Sequence, residues 1–357
     1  MIDRKHIHLI LAIAEHGSLN KASHELNLTP SALSHQLKNL EESLGLEIFH
    51  RRGNKLFFTE AGHELKERAS KIALDLKELE RKLSEIKDAE YNRYVHGYSE
   101  REAKRLLDQA ATVSDYLHFD SFWEAGTTLL EVGCGVGAQT AIIASKNPEL
   151  AITSIDISEK SVDKARLKIE KLGLSNVSFV VQDIKDVKPV KNGLYDHAFV
   201  CFVLEHVKDP VEILKKIRRL LKPGGTLTVI EGDHGSTLFY PDNVFSQKIV
   251  AGQVTLQAKR GGNANIGREL YPLLTAACFN NIAVSPRQIY VDNSKPALVS
   301  GFIKNTFTSM IQGMASEMIS EGIVSREAFD RGINGLLRTT EKDGVFSYTF
   351  FKAKAEV

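Results

Sequence analysis

Cysteine is scarce in this chain: Cys134, Cys201 and Cys278 are the only three in 357 residues. Their spacing fits neither a zinc site nor a disulfide framework. Two of them fall in apolar, strand-like runs, where cysteine acts as a small hydrophobe. A reducing, cytoplasmic setting is expected. Charge of one sign is lacking too. The net charge is +1, so no global electrostatic demand for nucleic acid or membrane exists. No apolar run reaches transmembrane length. Leu9 to Ala14 follows Arg4 and Lys5 as a signal-peptide core would, but it is short, is closed by Glu15-His16 and has no small-residue cleavage site. It reads as a core helix. What is there, 43% hydrophobic and 25% charged residues, is the composition of a globular protein long enough for two domains.

Residues 1–58 predict three helices and a hairpin. Ile7, Ile10, Leu11 and Ala14 share one helical face, broken at Gly17-Ser18. Ser18 is placed to cap a second helix, and Thr29 a third, with Pro30 at its first position, where a missing N–H costs nothing. Leu33, Leu37, Leu40 and Leu44 line the buried side of the third helix, which Gly45 ends. Ile48-Phe49 and Leu56-Phe57-Phe58 read as strands around the basic turn Arg51-Arg52-Gly53-Asn54-Lys55. That order is a winged helix-turn-helix. From Thr59 a long helix is expected, with Leu65, Ala69, Ile72, Leu76, Leu79, Leu83 and Ile86 in 4-3 spacing, the seam of a coiled coil.

The segment from Glu15-His-Gly-Ser-Leu through Leu28-Thr-Pro-Ser-Ala-Leu-Ser-His-Gln-Leu to Thr59-Glu-Ala-Gly resembles the DNA-binding domain of LysR-type transcriptional regulators. The resemblance implies that the third helix enters the major groove and the wing reaches the minor groove. It makes Pro30, Ser31, Ser34 and His35 the base-edge candidates, and Lys38, Arg51, Arg52 and Lys55 the backbone candidates. It also implies a homodimer paired through residues 60–88 and a DNA contact through residues 18–55. Pro30 and His35 depart from more polar or longer readers common at those positions, which reduces hydrogen-bonding reach. Residues 1–90 are close to charge-neutral, so the expected phosphate footprint is modest.

The second part is organised around Thr128-Leu-Leu-Glu131-Val-Gly133-Cys134-Gly135-Val-Gly137. A short apolar run ends in three alternate glycines, and a helical pattern follows from Ala138. Such a turn lets a ligand approach the backbone and offers free helix N–H groups. Gly133, Gly135 and Ala138 also satisfy a dinucleotide fingerprint, which alone is a weak signal. Asp156 ends the next strand-like run, 19 residues past Gly137, where a carboxylate accepts ribose hydroxyls whichever nucleotide is bound.

The further sequence of Val177 to Asp183-Ile184, Leu194 to Glu205-His206 and Leu221-Lys-Pro-Gly-Gly to Glu231 resembles class I S-adenosylmethionine (SAM) methyltransferases motif for motif over about 128–231. The resemblance implies SAM as cofactor, with Glu131, Gly133, Gly135 and Gly137 at its amino-acid end, Asp156 and Ile157 at the ribose, Asp183 and Ile184 at the adenine, and Cys201 beside them. The aromatic, basic stretch Tyr91 to Ala110 resembles the N-terminal lid of small-molecule methyltransferases, which brings Tyr98 and Gln109 toward the methionyl end.

Beyond the strand-like run that ends at Glu231, Asp233 and His234 are the leading catalytic candidates. His234 suits a general base because an unperturbed imidazole titrates near neutrality, and no third residue has metal-ligand spacing beside them. His206, Arg268, Tyr271 and Arg287 are the substrate candidates, the last three as polar groups for an anionic acceptor. Helix Val244–Lys259 is expected to roof the site, Ile282–Val291 and Val345–Ala353 to close the sheet, and 295–342 to form a helical insertion carrying Met310, Met314 and Met318, a stripe that reads first as helix core.

The expected fold is therefore α/β: an all-α winged helix-turn-helix (1–58), a linker helix (59–89) and a Rossmann-like methyltransferase domain (90–357) with lid 90–118, core 119–236 and cap with closing strands 237–357. The expected function is SAM-dependent methylation of a small molecule, coupled to a DNA-binding head, with no membrane partner. The other reading is a regulator that uses the same fold as a SAM or metabolite sensor without turnover. Methylation of DNA itself is disfavoured, because Phe202-Val-Leu-Glu205-His206 stands where an Asn/Asp-Pro-Pro-Tyr loop would serve flipped bases.

Overall fold

The computed structural model describes residues 2–26, 28–52, 55–91, 100–187 and 194–357. The chain divides into two units, Met1–Tyr91 and Asn92–Val357.

In the first unit, α1 (Arg4–His16) starts at Asp3, whose carboxylate accepts from the Lys5 and His6 N–H groups, and stops at Gly17, φ +66°. Ser18 caps α2 (Leu19–Glu25). Thr29 caps α3 (Pro30–Leu44), which ends at left-handed Gly45. Leu9, Ile10, Ile13, Leu33, Leu37 and Leu40 form the shared core with Ile48 and Phe49. The hairpin of β1 (Phe49–Arg52) and β2 (Lys55–Phe58) pairs Phe49 with Phe58. One carboxylate ties helix to wing: Glu41 Oε1 accepts from the Ile48 and Phe49 N–H groups at 2.8 and 3.2 Å. Helix α4 (Glu60–Tyr91) then begins, with Thr59 Oγ1 accepting from Gly62 N–H. Of its seam, Leu65 and Ala69 pack on the head core, whereas Ile72 and Leu79 are exposed. Leu83 and Ile86 lie outside the residues whose side chains are described.

In the second unit a seven-stranded sheet has the order β5-β4-β3-β6-β7-β9-β8. Its strands are β3 (Thr128–Val132), β4 (Ala151–Asp156), β5 (Val177–Val181), β6 (Tyr195–Cys201), β7 (Leu221–Tyr240), β8 (Asn280–Asp292) and β9 (Val345–Glu356). The first five run parallel, and β9 lies antiparallel between β7 and β8. The order reverses at β3, with β4 on one side and β6 on the other, and a crevice at such a switch point is where open sheets bind ligands.

The helices of this unit are α5 (Glu100–Leu117), α6 (Ala138–Lys146), α7 (Glu159–Lys171), α8 (Pro210–Leu220), α9 (Val244–Lys259), α10 (Leu270–Ala276), α11 (Pro296–Leu298), α12 (Ser309–Gly313), α13 (Ala315–Ser320) and α14 (Arg326–Arg338); a π-helical stretch, Val299–Thr308, joins α11 to α12. One apolar layer joins β3, β6 and β9 to α5, α9 and the cap, and holds Met310, Met314 and Met318, so the methionine stripe is core. The opposite layer packs Ile213, Leu214 and Ile217 of α8 and Leu270 and Leu274 of α10 on the other face.

Strand β7 runs longer than its motif implied. It does not stop at Glu231, because β9 supplies an antiparallel partner beyond the end of β6: Asp233 pairs with Thr349 and, past an irregularity, Leu238 with Ser347. Across the gap Ser236 Oγ accepts from Thr349 N–H at 3.0 Å, standing in for a ladder bond.

Candidate functional site

The glycine turn closes by local geometry. Gly133, Gly135 and Gly137 all have positive φ, +75°, +51° and +73°, values costly for side-chain-bearing residues. Two of them are also closely packed: a Cβ on Gly133 would overlap the Val203 side chain, and one on Gly137 would sit 2.9 Å from Ala165 Cα. At Gly135 a Cβ would meet nothing within 4 Å, so that glycine faces open space. Its N–H donates to Asp156 Oδ2 at 2.8 Å, and Asp156 Oδ1 accepts from Ser158 N–H at 2.9 Å. Burial raises the Asp156 carboxyl from its ordinary value. The next residue, Ile157, is 41% exposed, as is Val181 at 46%. Asp183 follows at the end of β5 and caps a 3₁₀ turn by accepting from Lys185 N–H, with Ile184 buried behind it. Apolar side chains left open beside two carboxylates suit a flat base and a polar sugar. Over the turn, Ala110 of α5 packs against Val136 and Ala138, and the neighbouring Gln109 accepts from Arg105 at 2.8 Å, both buried. Tyr98 lies outside the described residues.

Glu131 sits under this turn, not in it. Its Oε2 accepts from Thr140 Oγ1 and Ser154 Oγ at 2.7 and 2.6 Å, and burial pushes the carboxyl up to about 7. The folded state thus keeps a proton that the unfolded chain releases from about pH 4.5 upward. Stability from this group is present below pH 4.5 and is lost as pH rises through 7. Moving from pH 5 to pH 8 is expected to cost up to roughly 3 kcal/mol through Glu131. Glu131→Gln, which keeps the acceptor, should remove that slope in denaturant unfolding at the two pH values; equal slopes in both proteins would refute the assignment.

Cys201 ends β6 with its thiol buried in the apolar layer, held uncharged by that burial. At the exit of β6, Phe202 takes a left-handed conformation, φ +58°, and strain at a non-glycine residue concentrates at functional positions. The following 3₁₀ turn, Leu204–His206, carries Glu205 and His206 into a buried polar cluster. Glu205 Oε2 accepts from Gln257 Nε2 at 3.1 Å and lies 3.9 Å from His234 Nε2; its Oε1 lies 3.5 Å from His206 Nε2. Glu231 Oε1 accepts from the Val203 and Leu204 N–H groups. Burial, and then the charge of Glu205, hold the Glu231 carboxyl well above its ordinary range. His234 is buried, and that burial lowers its pKa to about 4, so its imidazole is neutral. Its ring packs against Tyr348 and Phe307, centroids at 5.5 and 6.1 Å.

Four sequence expectations are corrected here. Asp233 is no free base, because Arg268 Nε and Nη2 donate to its two oxygens at 2.9 and 2.7 Å. The same fork removes Arg268 as an anion binder. Arg287 is spent on Asp120, at 2.8 Å, with its guanidinium 4.3 Å from the Phe119 ring centroid. Tyr271 is 59% exposed on α10, whose apolar side packs in the α8 layer. The structure instead brings in residues that the sequence did not single out. Glu205 stood only inside a quoted motif. Tyr348 was hidden in the inward-facing alternation Phe346, Tyr348, Phe350 of β9, which reads as plain strand core. Gln253 and Gln257 were masked by a mostly apolar α9, although two glutamines four apart on a buried helix face are a signal that was there to use.

On the head, Pro30, Ser31, His35 and Lys38 are exposed along α3. Arg51 reaches from β1 to Ser34 Oγ of α3 at 3.1 Å. Side chains of Arg52 and Lys55 lie outside those described.

A winged helix-turn-helix and a doubly wound domain with a glycine-turn crevice thus share one polypeptide. Comparison with known proteins gives both units a family. Residues 4–63 match the family described as bacterial regulatory helix-turn-helix protein, lysR family, and residues 124–277 match a methyltransferase domain. The chain therefore joins a lysR-family helix-turn-helix domain to a methyltransferase domain. It is similar to an uncharacterized 37.1 kDa protein in transposon TN4556 of Streptomyces fradiae, 32% identical over 60% of this chain and 63% of that one. It is also similar to the HTH-type transcriptional regulator MetR of Haemophilus influenzae, 27% identical over 63% of this chain and 69% of the regulator. A third similarity is to the ubiquinone biosynthesis O-methyltransferase of Xanthomonas oryzae pv. oryzae, 37% identical over 29% of this chain and 42% of the enzyme. The chain thus spans less than two thirds of the first and third of these relatives. Among the described residues no helix is long and apolar enough to cross a membrane, and no three His, Cys, Asp or Glu side chains are grouped to hold a metal.

Proposed function

We propose that the second unit is a SAM-dependent methyltransferase acting on a small molecule, and that the first unit carries it to DNA as a homodimer in the cytoplasm. The observation that carries the cofactor reading is Gly135: an open Cβ position in a turn whose N–H is fixed by Asp156. The residues present fit the cofactor, with Gly133, Gly135 and Gly137 at the amino-acid end, Asp156 and Ile157 at the ribose, and Asp183 and Ile184 at the adenine. SAM supplies an activated methyl group. The chain has to align an acceptor with it, exclude water and take a proton where the acceptor carries one. The cap from α11 to α14 and the buried cluster at His234 support a small acceptor over a polymer.

The exposed Ile72 and Leu79 support pairing through α4, and the surface of α3 with Arg51 supports DNA contact. Isothermal titration with SAM tests the cofactor step, and no heat at millimolar ligand would reject it. Turnover of labelled SAM in a metabolite extract separates the enzyme from a sensor: a sensor binds SAM and releases no S-adenosylhomocysteine.

A further inference from the structure

Three polar atoms around Glu205 are buried and have no hydrogen-bond partner among the described residues: His234 Nδ1, Glu231 Oε2 and Gln253 Oε1. Gln253 and His234 belong to one linked group. Gln253 Nε2 donates to Gln257 Oε1 at 2.9 Å, and Gln257 Nε2 donates in turn to Glu205, whose carboxylate faces His234 Nε2. Buried polar atoms in folded proteins are paired almost without exception, so two acceptor positions on one network call for a molecule bringing hydrogens to them. With Nε2 toward the Glu205 carboxylate, the proton belongs on Nε2 and the free lone pair on Nδ1.

The charge inventory narrows the class. Arg268 donates to Asp233, and Arg287 and the buried Lys352 both donate to Asp120, so Arg268 and Arg287, the cations expected to hold an anionic acceptor, each already face a carboxylate. Arg105, whose positive charge acts on His234, is offset there by Glu205. The wall beside His234 is aromatic: Phe307, Tyr348, Phe302 and Phe346 lie within ring-contact distance of one another. Such a wall takes a flat ring face or edge.

Resting on the methyltransferase reading above, we propose that the acceptor is an uncharged phenol, and that its hydroxyl is aligned by His234 Nδ1 while Gln253 Oε1 takes a second donor hydrogen of the same molecule. In the step, the phenolic oxygen forms a bond to the methyl carbon. The methyl–sulfur bond breaks with its electron pair left on sulfur, and the hydroxyl proton passes to His234 Nδ1. Glu205 then faces the imidazolium so formed. A phenol gives up its proton near pH 10 and a water-like hydroxyl only near 15.7. A buried imidazole is a weak base and meets the first requirement far more readily than the second.

Isothermal titration of the full chain, saturated with S-adenosylhomocysteine, with catechol and with benzoate tests this. Catechol should bind at least ten-fold more tightly than benzoate. His234→Gln should weaken catechol at least ten-fold and leave S-adenosylhomocysteine affinity within two-fold, and Gln253→Leu provides a second variant with the same expected split. Equal or tighter benzoate binding, no catechol binding, or catechol affinity unchanged in both variants overturns the proposal. Failure of S-adenosylhomocysteine to bind the wild-type chain sinks the cofactor reading beneath it instead, so the two failures are told apart.

Discussion

Asp156→Ala is expected to weaken SAM binding by about a hundred-fold or more. The residue has two tasks. In the free protein its oxygens accept from the Gly135 and Ser158 N–H groups, which fixes the path of the glycine turn. In the proposed complex its carboxylate would accept the ribose hydroxyls, and hydrogen bonds to a charged group contribute about 1.5–3 kcal/mol each. Losing a pair of them therefore removes at least two orders of magnitude in affinity. Asp156→Asn keeps an acceptor and loses the charge, so its expected loss is nearer ten-fold. Titration of both variants with SAM and S-adenosylhomocysteine provides the check. An Asp156→Ala affinity within three-fold of wild type would remove Asp156 from the cofactor site.

A second contrast separates folding from binding within three residues. Gly137→Ala places a methyl group against Ala165 Cα and Cβ at 2.9 Å. The obstacle is partly α7 backbone and cannot swing aside. The left-handed φ adds about 1–2 kcal/mol, and the overlap more. A loss of about 3 kcal/mol or greater is expected, a fall in Tm of roughly 6–12 °C for a unit of this size. Gly135→Ala meets open space instead. It should cost only about 1 kcal/mol from its φ, yet its methyl group would project into the proposed cofactor site, so SAM affinity should drop more than ten-fold with Tm nearly kept. Thermal unfolding and titration side by side decide it. If the two variants behaved alike, the distinction between a packed and an open glycine would be wrong.

Much of this architecture was legible because its signals are local. Caps, left-handed glycines and leucine periodicity in residues 1–58 each name a backbone conformation, and α1 to α3 start and stop on them: Asp3, Ser18 and Thr29 cap, and Gly17 and Gly45 terminate. The glycine turn and its carboxylates were legible for the same reason, since positive φ at Gly133, Gly135 and Gly137 is written in the residue type. The acceptor side was not. Arg268 and Arg287 look available in sequence, and only the fold shows that Asp233 and Asp120, 35 and 167 residues away, have taken them. The same limit hid Glu205, whose partners come from α9 and β7. The end of β7 could not be placed correctly either, because its continuation depends on β9, over a hundred residues later.

Glu41 has a wider consequence. By holding the start of β1 to the last turns of α3, it makes the two parts of the head proposed to meet DNA a single stiff probe, with a fixed span between them. A stiff probe cannot be tuned by bending. In the proposed dimer, control over operator choice would be left to the distance and angle between two such probes, and an operator whose half-sites sit at the wrong helical phase would be refused however good each half is.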